Sequence, residues 1–253
     1  MRSAGRCFAP TTVRQSPECC PLALEYGGRL SFQDSMTEKA SKHYDAAYFE
    51  YQARLGDFNT WASLGKFNSY ISADDTVLDF GCGGGFVLKS IQCKKKVGVE
   101  VNPAALETAR RNAVEVYTDA DQVADDSVDV LISNHALEHT LNPLQELKTL
   151  LHKVRKGGKV VFFVPCDSIR VKYKPNDVNH HLYTWNPMCL GNLFTEAGYL
   201  VKESKAYTHR WPPRIAQIVA KIGGRPLFEL ACRITGSLTR KYFQVRLIAE
   251  RPD

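Results

Sequence analysis

Along most of this 253-residue chain, short runs of β-branched and apolar residues alternate with amphipathic stretches. The apolar runs predict strands near 76–80, 96–100, 114–117, 127–133, 158–164, 199–206 and 243–250. Between them, apolar residues at three- and four-residue spacing predict helices near 84–92, 103–112, 143–154 and 187–197. Asn102-Pro103 and Asn142-Pro143 each place a capping side chain before a first-turn proline, and Gly157-Gly158 is expected to close the second of these helices before the next strand. Strand alternating with helix implies an α/β, doubly wound, mostly parallel seven-stranded sheet with helices on both faces. In such a sheet ligands bind outside the carboxyl ends of the strands.

The two flanks of this pattern differ from it. Residues 1–35 contain Pro10, Pro17 and Pro21 with little periodicity, and are expected to form an irregular extension. The segment 37–66 is helical in character, with Tyr44, Tyr48, Phe49, Tyr51, Phe58, Trp61 and Leu64 set among charges. Before the last strand a helical insertion is expected as two pieces, 215–222 and 226–235, separated at Gly223-Gly224. The expected organisation is therefore the extension 1–35 and one domain, 36–253, with an N-terminal helical segment at 36–70 and a second helical cap at 207–243.

Composition adds limits. No apolar run approaches the roughly 18 residues of a membrane span, so membrane contact would be peripheral, through the apolar and basic stretch 211–243. Eight cysteines without a C-x-x-C pair point to a reducing compartment, hence a cytoplasmic location. The organellar alternative rests on Arg2, Arg6 and Arg14, unaccompanied by acids in the first 17 residues. The net charge of +6 is concentrated after residue 200, where 11 Lys and Arg face 4 acids. A basic region of that kind meets acidic ligands or simply forms a solvated face, and no nucleic-acid recognition motif accompanies it.

The densest chemistry lies at 77–86, VLDFGCGGGF. A strand ending in Asp79 and Phe80 runs into Gly81, Cys82, Gly83, Gly84 and Gly85, and apolar periodicity resumes at Phe86. Glycines permit positive φ and let a ligand lie against the backbone. A dinucleotide fingerprint would need a third glycine where Phe86 stands, and a phosphate-binding Walker loop would need glycine before Lys89-Ser90. Glu100, nineteen residues after Gly81 at the end of the second strand, suits the hydroxyls of a ribose.

In this respect the chain resembles the class I S-adenosylmethionine-dependent methyltransferases. The resemblance is carried by VLDFGCGGGF, VGVEVNP at 97–103, SVDVLISNHALEHTLNP at 127–143 and KGGKVVFFVP at 156–165, in that order, and spans roughly 40–205. It implies S-adenosyl-L-methionine as co-substrate. Gly81, Cys82, Gly83 and Gly85 would approach its methionine and ribose, Asp79 its amino-acid end, Glu100 its ribose hydroxyls and Val101 its adenine. Asp119 would sit near the adenine amine, and Asn134 would border the cofactor.

Polar clusters after the fourth and fifth strands supply His135, His139, His180 and His181 as candidate bases for removing an acceptor proton, since histidine titrates near neutral pH. The adjacent His180-His181 pair has no second ligand set at metal-binding spacing, so no metal is expected. The expected activity is methyl transfer to a small-molecule or lipid-like acceptor. A non-catalytic cofactor-binding or scaffold protein of the same fold is the alternative, and a nicotinamide-dependent oxidoreductase stands further off.

Overall fold

The computed structural model describes residues 56–175, 177, 179–239 and 242–253. The expected extension 1–35 and most of the expected helical segment 36–70 lie outside the described residues. Among those described, α1 (Gly56–Leu64) precedes β1 (Thr76–Phe80), α2 (Phe86–Ser90), β2 (Lys95–Val99), α3 (Pro103–Arg111) and β3 (Glu115–Tyr117). Then follow β4 (Val128–Asn134), α4 (Pro143–Lys153), β5 (Val154–Asp167), α5 (Pro187–Glu196), β6 (Leu200–Tyr207), α6 (Ala216–Thr239) and β7 (Tyr242–Glu250). The seven strands form one sheet in the order β3-β2-β1-β4-β5-β7-β6. All pairings are parallel except those of β7, which runs antiparallel to both β5 and β6. The first end of β7 therefore lies beside the carboxyl ends of its neighbours, and it delivers Gln244 there.

Both faces of the sheet are covered, which explains why its central strands read as continuous apolar runs. Successive side chains alternate between the two cores. Leu78, Phe80, Leu131, Val160, Phe162 and Val164 pack with Leu147 and Leu150 of α4 and Leu190 and Phe194 of α5. Val77, Val130, Ile132, Val161 and Phe163 pack on the other side with Phe67, Leu88 and Ile91. At an order of 25 cal/mol per Å² of buried apolar surface, these two layers are the main favourable contribution to folding.

Three helices start as their sequences dictate. The side chains of Asn102, Asn142 and Asn186 accept from the backbone N–H of Ala104, Gln145 and Cys189, each ahead of a first-turn proline. The expected role of Gly157-Gly158 is corrected. Helix α4 stops at Lys153, and Val154 is already extended and paired with Val128. The β-branched Val154 is fully buried in a ladder position, which ends the helix without a glycine cap. The register then jumps to Lys159 opposite Val130, and Gly157, at φ 69°, lies within this irregularity.

The insertion before β7 also follows the expected break. Gly224 adopts φ 59° and ψ −157° inside α6, dividing it into two helical pieces with Pro226 opening the second. No described helix is long and apolar enough to cross a membrane.

Candidate active site

The glycine loop between β1 and α2 is shaped by three left-handed residues, Gly81 at φ 76°, Gly83 at φ 53° and Gly85 at φ 71°. The N–H groups of Gly81 and Cys82 both donate to the Val99 carbonyl, at 2.9 and 3.1 Å, which ties the loop to the end of β2. A Cβ on Gly81 would stand 2.3 Å from Cβ of Ala136, so only glycine fits beneath the turn after β4. Gly83 is different, because nothing lies within 4 Å of where its Cβ would be. The loop is thus closed on one side and open on the other. Helix α2 is only five residues long and carries little macrodipole, so recognition falls to the loop and the strand ends.

Two carboxylates flank this opening. Glu100, just past β2, accepts at 2.8 Å from the N–H of Gly83 with one oxygen and at 2.8 Å from the N–H of Asn102 with the other. Burial raises its pKa, and the backbone donors hold it down. Asp79 is buried at the end of β1, where loss of hydration and then the charge of Glu100 push its carboxyl up to about 8. A cation placed between them would relieve both. The Cys82 side chain packs in the core over Gly98, where an added Cβ would come within 2.5 Å of its Sγ. It takes part in the loop through its backbone. Val101 is exposed beyond β2. Asp119 caps a short 3-10 turn, 120–122, by accepting from Asp121 N–H at 2.8 Å.

At the end of β4, His135 is held at φ 60° by its N–H donating to the Phe163 carbonyl at 2.8 Å, a left-handed conformation unfavourable for a residue with a Cβ. The following turn buries Glu138 completely. Its Oε1 lies 3.3 Å from His135 Nδ1 and 3.9 Å from His139 Nε2, and neither carboxylate oxygen has a hydrogen-bond donor among the described residues. The Glu138 carbonyl accepts from the N–H of Leu182 and Tyr183, drawing the loop after β5 onto this turn. His181 is thereby stacked edge-on to His139 with ring centroids 5.2 Å apart, while its Nδ1 meets Asp167 Oδ2 at 3.2 Å. Burial depresses the pKa of His139 to about 4. His135, His139 and His181 are thus brought together from 46 residues of sequence, whereas the His180 residue is exposed and meets His139 through its backbone.

A cleft opens beside this cluster. Lys66, two residues after α1, donates from Nζ to Asn134 Oδ1 at 2.7 Å and to Gln244 Oε1 at 2.8 Å. Loss of hydration lowers its pKa to about 7, against the attraction of Glu229 and Glu138. Asn134, His135, His209, Trp211 and Gln244 line one part of the cleft with Lys66; Tyr207, Arg225, Glu229, Arg233 and Arg246 line the rest. Its roof joins α1 and α6 around the fully buried Phe228, with Trp61 at 5.1 Å and Phe58 at 5.5 Å between ring centroids. Arg225 donates to the Trp61 carbonyl at 2.6 Å and covers the Trp61 ring at 4.5 Å.

The sequence motifs marked Asp79, the glycines, Glu100, Asn134 and three of the clustered histidines. They missed Lys66, Glu138 and Gln244, because a lone lysine, a glutamate between histidines and a glutamine on the last strand have no spacing that distinguishes them from surface residues. The HALEH run held the one available hint, a carboxylate flanked by two imidazoles at positions 135 and 139.

This sheet order, with its reversed last strand and a glycine loop leaving β1, defines an α/β fold of the class I methyltransferase type. A family model described as a methyltransferase domain matches residues 48–204, more than half of the chain, and the chain belongs to that family. Over 94 residues it is 32% identical to the ribosomal protein L11 methyltransferase of Pectobacterium carotovorum, a match covering 33% of this chain and 30% of that protein. The chain spans about a third of the length of the curated relatives it matches. Among solved structures, Haemonchus contortus phosphoethanolamine N-methyltransferase 2, in complex with phosphomonomethylethanolamine and S-adenosylhomocysteine, superposes with a TM-score of 0.60 at 15% identity, covering 88% of this chain and 61% of that one. Geranyl diphosphate C-methyltransferase from Streptomyces coelicolor gives 0.53 at 15% identity, covering 83% and 84%. These likenesses establish the shared fold.

Proposed function

We propose that this protein transfers a methyl group from S-adenosyl-L-methionine to a small-molecule or lipid-like acceptor held in the cleft around Lys66. The observation that carries the reading is the open side of Gly83 between two strand-end carboxylates, Asp79 and Glu100. The cofactor brings a positively charged sulfonium whose methyl is already electrophilic, so the protein's work is to bind, align and dehydrate. Asp79 offers a buried carboxylate to the cationic methionine end. Glu100 offers two oxygens, now on backbone N–H groups, to the ribose hydroxyls, and Val101 forms an exposed apolar wall for the adenine. Asn134 stands at the junction of this site with the cleft, its side chain fixed by Lys66.

On the acceptor side we assign proton removal to Lys66 or His135, since His209, the other cleft imidazole, is engaged with Glu229 at 3.1 Å. An amine poised at about 7 is divided between its two forms at neutral pH, as a general base requires. The aromatic roof of α1 and α6 covers one side of the cleft, and the exposed apolar residues on the outside of α6, Ile218, Ile222, Leu230 and Leu238, suit delivery of a lipid-like acceptor. The similarity to ribosomal protein L11 methyltransferases covers about a third of either chain.

Calorimetry with S-adenosylhomocysteine tests the donor half, with binding expected at micromolar concentration and its absence at high micromolar overturning the reading. A screen of cell extracts for compounds that gain a labelled methyl group tests the rest. Cofactor binding without any labelled product would favour the non-catalytic alternative.

A further inference from the structure

Three side chains that the methyl-transfer reading does not use converge beneath the turn after β4. Glu138, His139 and His181 each offer a ligand atom, and these atoms lie within 4.8 Å of one another. Glu138 is fully buried, and both of its oxygens lack a hydrogen-bond donor among the described residues. The imidazole contacts, at 3.3 Å from His135 and 3.9 Å from His139, both fall on Oε1, and Oε2 has no hydrogen-bond partner among the described residues. A carboxylate enclosed in this way loses its hydration and recovers little in return, which proteins tolerate when a cation completes the group.

From this geometry we infer a divalent transition-metal site formed by Glu138, His139 and His181. Two imidazoles and a carboxylate are the donor set of zinc and its first-row neighbours, and three protein ligands leave a position for water. The surroundings are those of an oriented metal ligand. His181 is held through Nδ1 by Asp167 Oδ2 at 3.2 Å, which fixes its ring, and the His180 carbonyl accepts a hydrogen bond from the His139 ring. Backbone bonds from Leu182 and Tyr183 to the Glu138 carbonyl fix the two segments to each other, so the ligands are positioned before an ion arrives. Tetrahedral zinc would require its ligand atoms roughly 3.4 Å apart, which is a modest closure from the observed spacing. The exposed fractions of the two imidazole side chains, 16% for His139 and 23% for His181, supply an entry path. Sequence spacing offered the His180-His181 pair no second ligand set, and the fold provides it from 42 residues upstream.

The test needs neither cofactor nor acceptor, so it fails or succeeds independently of the methyl-transfer reading. The full chain, stripped with a chelator and desalted, is titrated with Co²⁺ by visible absorption and with Zn²⁺ by calorimetry. One ion per chain is expected, with the intense d–d bands of a low-symmetry cobalt site and a Zn²⁺-dependent rise in Tm. Glu138→Gln, which preserves volume, and His181→Ala should each weaken binding at least tenfold while retaining the near-UV circular dichroism of the parent. Asp167→Asn should weaken it by about 10- to 100-fold, and His152→Ala, on the outside of α4, should leave it unchanged. Absence of cobalt bands and of zinc uptake by the unmodified chain overturns the proposal, as does uptake that survives both Glu138→Gln and His181→Ala.

Discussion

The amine of Lys66 lies 2.7 Å from Asn134 Oδ1, joining the segment after α1 to the end of β4 across 68 residues of sequence. This bond places an amine whose pKa is lowered to about 7 where the end of β4 meets the cleft under α1 and α6. It also makes Lys66 the group whose replacement is most informative on the acceptor side.

Lys66→Met should reduce turnover by about 10²-fold or more while leaving S-adenosylhomocysteine affinity within a factor of a few, as expected for loss of a proton-transfer group. Its effect on stability has a definite sign. The folded-state pKa lies below the unfolded value, so the unfolded chain binds more protons between pH 7 and 10.5, and stability gains from this group as pH rises through that window. Denaturant titrations from pH 7 to 10 should show a shallower rise for the variant. An identical slope in both proteins would contradict the enclosed amine.

Cofactor affinity should increase with pH up to about 8. Asp79 has a raised pKa in the cofactor-free protein, so below that value it must release a proton before it can pair with the cationic methionine end. Affinity should therefore fall by up to tenfold per pH unit on going down from 8. Calorimetry in buffers of different ionisation heat should register close to one proton released near pH 6.5, and Asp79→Asn should abolish that release. For stability the same group acts in the opposite direction to Lys66: its contribution is fully present below the unfolded value near 3.8 and is lost as pH rises through about 8.

Gly81 and Gly83 should separate folding from binding. Gly81→Ala drives a methyl into Ala136 and strains a positive φ, so thermal unfolding should drop markedly. Gly83→Val meets open space and incurs only the conformational strain, about 1–2 kcal/mol, yet it fills the volume assigned to the cofactor. The second variant should fold and bind S-adenosylhomocysteine at least a hundredfold more weakly.

Phe228→Ala should cost about 3–5 kcal/mol within the roof, because a fully buried phenylalanine leaves a cavity against Phe58, Trp61 and Trp211. Hydrogen exchange should accelerate in α1 and α6 while the β1–β4 amides stay protected. The acceptor's KM should rise, with the cofactor's affinity little changed.

The strand ends and the glycine loop were legible because their cause is local. An asparagine before a proline starts a helix wherever it stands, and a glycine that must adopt positive φ announces itself. Gly157-Gly158 misled because Val154 found a ladder partner, Val128, that no local signal names. The cleft around Lys66 was opaque for a related reason. Lys66, Asn134 and Gln244 come from three separated segments, and a lysine acquires a lowered pKa only from what encloses it.

The sequence alone determined an alternating α/β chain, a glycine loop of the methyltransferase type and its two acidic partners, since each depends on residues within one β-α-β unit. Only the tertiary structure decided that Glu138 would be buried without a hydrogen-bond donor among the described residues, that His181 would reach His139, and that β7 would run backwards to bring Gln244 to Lys66. Burial and charge environment are properties of neighbours in space, and for these residues the neighbours lie tens to nearly two hundred positions away along the chain.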